Sequence, residues 1–131
     1  HTKIEIKEAI GKGLVELIEK GKIHSDETKM LLQKYLQPML DYGIDHLVLG
    51  CSHYPYLIDP IKEIVGKNIK IIDSGFAVAK QTQNILQQKG LLNTQNKSGN
   101  YQFFINTNKE VLARFISHFN KENLTITEVD F

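Results

Sequence analysis

Cys51, Ser52 and His53 stand in a row inside the run Leu47–Leu57, read Leu-Val-Leu-Gly-Cys-Ser-His-Tyr-Pro-Tyr-Leu. They place in one small volume a thiol that can serve as nucleophile or acid, a hydroxyl that donates hydrogen bonds, and an imidazole base. Cys51 is the only cysteine of the 131 residues. A Cys-x-His pair is too few donors for zinc, which takes at least three protein ligands. His24, His46 and His118 have no ligand spacing with Cys51 that would complete such a set.

These residues need a platform. Leu47-Val48-Leu49, apolar with a β-branched centre, predicts a short buried strand within Ile44–Gly50. Gly50 lets the backbone turn, and Pro55 cannot continue a central strand, so the chain must turn there. In an open α/β sheet ligands bind beyond the carboxyl ends of the strands, which is where Cys51–His53 would fall. Upstream, Gly11-Lys12-Gly13 argues against helix and lacks phosphate-loop spacing, whereas Leu14, Val15, Leu17 and Ile18 form a helix face that stops at Gly21. Ser25 is placed to cap a helix over Asp26–Tyr42, with Pro38 expected to kink or shorten its last turn and Gly43 to stop it.

Downstream, Asp59-Pro60 reads as a helix start leading to Gly66, and Ile69–Ile72 as a second strand. A helix is expected over Phe76–Gln88, a polar loop over Leu91–Asn100 and a third strand over Tyr101–Ile105. Thr107-Asn108-Lys109-Glu110 has capping-box spacing and opens a helix carrying Val111, Leu112, Phe115, Ile116 and Phe119. Leu124–Phe131 alternates loosely enough for an edge strand. Strands alternating with helices predict an α/β chain with parallel pairing.

Composition narrows the partners. A hydrophobic content of 41% and a charged content of 24% are those of an ordinary globular domain, or part of a larger one. A net charge of +1 favours neither nucleic acid nor a membrane, and Arg114 is the only arginine. One cysteine rules out an internal disulfide and suits a cytoplasmic location. No apolar run is long enough to span a bilayer, and no secretory signal is visible. The chain opens at His1 without a methionine, which reads as a fragment or a processed product.

The cysteine run resembles the second-cysteine motif of glutamate racemases, a cofactor-independent amino-acid racemase family whose pattern is Leu-Gly-Cys-Thr-His-Tyr-Pro. Ser52 replaces the Thr, keeping the hydroxyl and the amide. Leu14–Gly21 is similar to a family run that opens Leu-Val and closes Glu-x-Gly, with Glu19 on its acidic position, and Ile72–Gly75 followed by Ala77 and Ala79 is similar to the run after the next strand. The likeness extends to about Leu86.

The resemblance implies Cys51 as the catalytic cysteine of the L-glutamate face, His53 protonating or orienting beside it, Glu19 holding that histidine, and Ser52 binding the substrate carboxylate. It implies no metal, pyridoxal phosphate or flavin. The fold implied is a flavodoxin-like or Rossmann-like three-layer sandwich, as part of a two-domain enzyme. Residues 1–75 would belong to the second, inserted domain and residues 76–131 would return to the first. The second catalytic cysteine and the family's Asp-Ser-Gly motif lie earlier than this stretch. Asp73-Ser74-Gly75 follows the cysteine instead, so Asp73 is not carried over as catalytic. The partners expected are glutamate, the missing N-terminal half and further copies of the enzyme. The role implied is supply of D-glutamate for peptidoglycan. Two other readings stay open: a non-catalytic flavodoxin-like binding or redox module with a reactive thiol, and an aspartate-specific relative.

Overall fold

Gly13 takes a left-handed conformation (φ 85°) that would strain any residue with a side chain, and there the chain enters a six-residue helix, Leu14–Glu19 (α1). Leu14, Leu17 and Ile18, three or four residues apart, give it one buried face. The computed structural model describes residues 4–95, 99–117 and 121–130. Two compact units divide the chain, His1–Thr82 and Gln83–Phe131.

In the first unit, Ser25 caps the helix Asp26–Tyr42 (α2), its side-chain oxygen accepting from the Thr28 N–H at 3.2 Å. Asp26 and Glu27 occupy the first turn, where the helix dipole favours negative charge. Pro38 does not shorten α2, which runs on to Tyr42. Pro38 and Lys34 are both exposed, so the Lys34 carbonyl that loses its donor can turn to water. Gly43, left-handed at φ 83°, ends the helix as expected.

The first strand is His46–Val48 (β1), shorter than the expected Ile44–Gly50. It pairs in parallel with Lys70–Ile72 (β2), Leu47 opposite Ile71, and the Leu49 N–H adds a bond to the Ile72 carbonyl at 2.9 Å. The strand is buried on one face only, not on both. Leu47 and Leu49 are buried, while Val48 between them is 67% exposed. Neighbouring residues of a strand point to opposite faces, and only one face here is covered. Leu47 lines a small apolar cavity of about 80 Å³ with Leu14, Leu32, Leu36, Leu57 and Ile61, which brings α1, α2 and the segment after Cys51 onto that face.

After β1 the chain makes a 3₁₀ turn over Tyr54–Leu57 that runs directly into a helix, Ile58–Val65 (α3). The helix therefore starts before the expected Asp59-Pro60. Pro60 is tolerated because a helix's first N–H groups have no partner within it. Past β2, the Asp73 carboxylate accepts the Gly75 N–H at 2.7 Å and turns the chain into Gly75–Gln88 (α4). No residue of α4 is buried, and Phe76 is 80% exposed.

The second unit repeats the parallel theme with longer strands. Tyr101–Ile105 (β3) pairs in parallel with Leu124–Glu128 (β4), Tyr101 opposite Leu124 and Ile105 opposite Glu128. Between them lies the helix Lys109–Phe115 (α5). Its cap is Asn108, not Thr107: the Asn108 side-chain oxygen accepts from the Glu110 N–H at 2.8 Å, and a shorter reach is enough from one residue closer. Phe119 and Phe131, placed by the sequence on this helix face and at the strand end, lie outside the described residues. The chain is thus α/β with parallel strands, and among the described residues the four strands form two pairs. Among the described residues no helix is long and apolar enough to cross a membrane.

Candidate active site

The loop bearing Cys51, Ser52 and His53 leaves the carboxyl end of β1, where an α/β sheet puts its ligands. Two successive backbone bonds curl it. The Tyr54 N–H donates to the Cys51 carbonyl and the Tyr56 N–H to the His53 carbonyl, each at 3.1 Å. Pro55 sits in the resulting 3₁₀ turn, whose base, Leu57, is fully buried. Cys51 is thereby half-buried, His53 half-buried and Ser52 exposed.

The two nitrogens of the His53 ring each face a polar group. Nε2 lies 3.3 Å from the Glu19 carboxylate, and Nδ1 lies 3.4 Å from the Ser52 hydroxyl. A carboxylate beside Nε2 favours the tautomer with its proton there, which leaves Nδ1 as the acceptor facing Ser52. Glu19 is the last residue of α1, far from the loop in sequence, and α1 delivers it. The structure therefore joins Glu19, His53 and Ser52 in one line, with Cys51 held in the same loop through its backbone carbonyl. His46 has a local neighbour: its Nδ1 lies 3.0 Å from the Asp45 carboxylate and holds that carboxyl below its usual range. Among the described residues no group of three His, Cys, Asp or Glu could hold a metal ion.

Tyr54, which the sequence reading gives no role of its own, reaches back to α1. Its hydroxyl donates to the Gly11 carbonyl at 3.4 Å. Burial, and secondarily the charge of Cys51, push its phenol above the usual 10.0. Tyr35 of α2, read from the sequence only as a core residue, donates to the neighbouring Lys12 carbonyl at 2.9 Å. Neither pairing has a local sequence signal, because a tyrosine on an apolar face carries the same letter whether or not its hydroxyl finds a partner.

No family model matches the chain. Individual proteins do. A glutamate racemase from Herpetosiphon aurantiacus is 44% identical over 91 residues, which are 70% of this chain and 36% of that protein. One from Ralstonia pickettii is 53% identical over 81 residues, 62% of this chain and 29% of that protein. The chain belongs to the glutamate racemase family. It spans about a third of the length of these curated relatives. Solved structures agree on the fold: a glutamate racemase isoform from Bacillus anthracis superposes with a TM-score of 0.77 at 26% identity, over 92% of this chain and 45% of that one. The Francisella tularensis glutamate racemase, solved in complex with D-glutamate, gives a TM-score of 0.73 at 27% identity, over 92% and 46%.

Proposed function

We propose that this chain carries the L-glutamate face of a glutamate racemase site. The observation that supports the reading is the line Glu19–His53–Ser52 running into the loop of Cys51, in a chain related by sequence to glutamate racemases.

Racemisation removes the Cα proton from one face and returns a proton to the other. Cys51, as thiolate, takes the proton of L-glutamate and becomes a thiol; an acid on the opposite face donates its own proton to the carbanion-like carbon. In the reverse direction Cys51 is the donor. Glu19 keeps the His53 ring turned toward the loop, and an imidazole there supports proton movement to and from the thiol. Ser52 offers its N–H and hydroxyl to the substrate α-carboxylate, a charge-assisted contact that orients Cα. One thiol serves one face, so the reading includes a partner segment with the second cysteine, namely the N-terminal half of the same enzyme. Residues 1–75 then belong to the inserted domain and residues 76–131 to the first, and copies of the whole enzyme associate. D-Glutamate made in the cytoplasm would feed peptidoglycan.

The test is incubation with L-glutamate in deuterated water, following D-glutamate and Cα deuteration. The chain alone should produce neither at an enzyme-like rate. Supplying the partner segment should start turnover, and Cys51→Ser in that complex should abolish it. Enzyme-like turnover by the chain alone would sink the partner requirement, and full activity of the Cys51→Ser complex would sink the assignment of Cys51.

A further inference from the structure

α1 is too short to hold itself. Six residues form less than two turns, and isolated helices much below about 12 residues are marginal in water. Its buried face fixes its depth, but apolar burial is non-directional and does not by itself set the helix's register along its axis. Hydroxyl groups from elsewhere in the unit bind the backbone at both of its ends. At the amino end, Tyr54 donates to the Gly11 carbonyl at 3.4 Å and Tyr35 to the Lys12 carbonyl at 2.9 Å. The Leu14 N–H also returns to Gly11 at 3.2 Å, so this point is the hinge at which the helix begins. At the carboxyl end, the Thr28 hydroxyl donates to the Lys22 carbonyl at 2.6 Å, with the Ser25 hydroxyl on the same oxygen at 2.9 Å. The Lys22 N–H bonds the Leu17 carbonyl inside α1 at 2.9 Å. Thr28 is fully buried, so its hydroxyl has no water to turn to.

We propose that Tyr35, Tyr54 and Thr28 are positioning residues, whose hydroxyls on the flanking carbonyls of α1 set where the Glu19 carboxylate stands against His53. The proposal deepens the racemase reading by naming what orients the His53 ring, and it rests on that reading for its catalytic meaning. The sensitivity is geometric: Glu19 closes the helix, its contact with Nε2 is 3.3 Å, and a retreat of the helix end from His53 by about one ångström takes that contact out of hydrogen-bond range.

The experiment reads the His53 ring by ¹⁵N chemical shift in the intact chain at fixed pH. Glu19→Gln sets the scale of losing the carboxylate. Tyr35→Phe, distant from His53 in sequence and altered by one oxygen, should move both ring resonances in the direction that Glu19→Gln moves them, and Thr28→Val should do the same from the other end. In a Glu19→Gln background neither variant should move them further. A protein whose hydroxyls serve only the fold would lose thermal stability and keep the His53 shifts. The proposal is overturned if Tyr35→Phe and Thr28→Val leave the ring resonances in place, or if they move them equally with and without the Glu19 carboxylate. If Glu19→Gln itself leaves the ring unmoved, the Glu19–His53 pairing falls, and with it both this proposal and the role of Glu19 in the racemase reading. Cys51 and the partner requirement would be untouched.

Discussion

The two units use the same supersecondary device, a parallel pair of strands joined through helix, and reach different ends with it. The first buries Leu14, Leu17, Ile18, Leu32, Leu36, Leu47, Leu49, Leu57, Ile61 and Val65. Among the described residues of the second, Ile116 alone joins the buried apolar set, while Phe104 is 58% and Tyr101 43% exposed. The difference lies in covering, not in strands. In the first unit side chains of three helices and a 3₁₀ turn gather with Leu47 of β1 around one apolar cavity; among the described residues of the second, the seven-residue α5 and a 3₁₀ turn over Lys121–Asn123 lie between β3 and β4, and α5 has no buried residue. Every candidate site residue falls in the unit with the core. A carboxylate held at 3.3 Å from an imidazole needs rigid neighbours, and burial of apolar area is what supplies rigidity at a few kilocalories per mole for each large side chain.

The largest test of that contrast is truncation in each unit. Leu57→Ala, at a fully buried position, should cost about 3 kcal/mol of unfolding free energy. Phe104→Ala, mostly exposed, should cost less than about 0.5 kcal/mol. Urea denaturation of both variants decides it; equal costs would mean that the second unit has a core its exposure does not reveal. A smaller test compares the two caps. Ser25→Ala removes the α2 cap and should lower stability by about 1 kcal/mol in the global transition. Asn108→Ala removes the same kind of bond from α5, and its effect should stay local, raising amide exchange over Lys109–Phe115 without moving the midpoint of the first unit.

The smallest effect is in pH. Both Tyr54, by burial, and Tyr42, by its bond to Glu5 at 2.7 Å, have phenols raised above 10.0. The fold thus favours their neutral forms, so their contribution is complete below the unfolded value and is lost as pH rises through the folded one. The denaturation midpoint should fall on going from pH 9 to alkaline conditions above about 10, and Tyr54→Phe should flatten part of that fall. A Tyr54→Phe curve parallel to that of the parent would remove Tyr54 from the account.

What the sequence revealed follows the range of each signal. The bounds of α2, Asp26–Tyr42, could be read because Ser25 and Gly43 act on their immediate neighbours. The Cys51-Ser52-His53 group was legible because its members are contiguous, and Glu19 entered only through family likeness, since no local pattern links the end of α1 to a loop beyond β1. The exposure of Val48 was not legible. A run of Leu-Val-Leu is written alike for a strand covered on two faces and for one covered on a single face, and only the number of covering helices decides between them. The cap of α5 slipped by one residue because Thr107 and Asn108 both qualify and the backbone picks between them. The hydroxyls of Tyr35 and Thr28 find carbonyls that other parts of the chain bring to them, so their partners are written in the fold alone.

Gly11 has a consequence for how this protein can drift. A methyl group there would stand 2.5 Å from the Tyr54 hydroxyl oxygen and 2.7 Å from Leu14 Cδ1, so the place of a side chain at position 11 is already taken by a ring from position 54. The two positions are therefore not independent under mutation. A residue larger than glycine at 11 must displace the Tyr54 hydroxyl and the Leu14 methyl together, and moving the first breaks the bond that the hydroxyl makes to the Gly11 carbonyl.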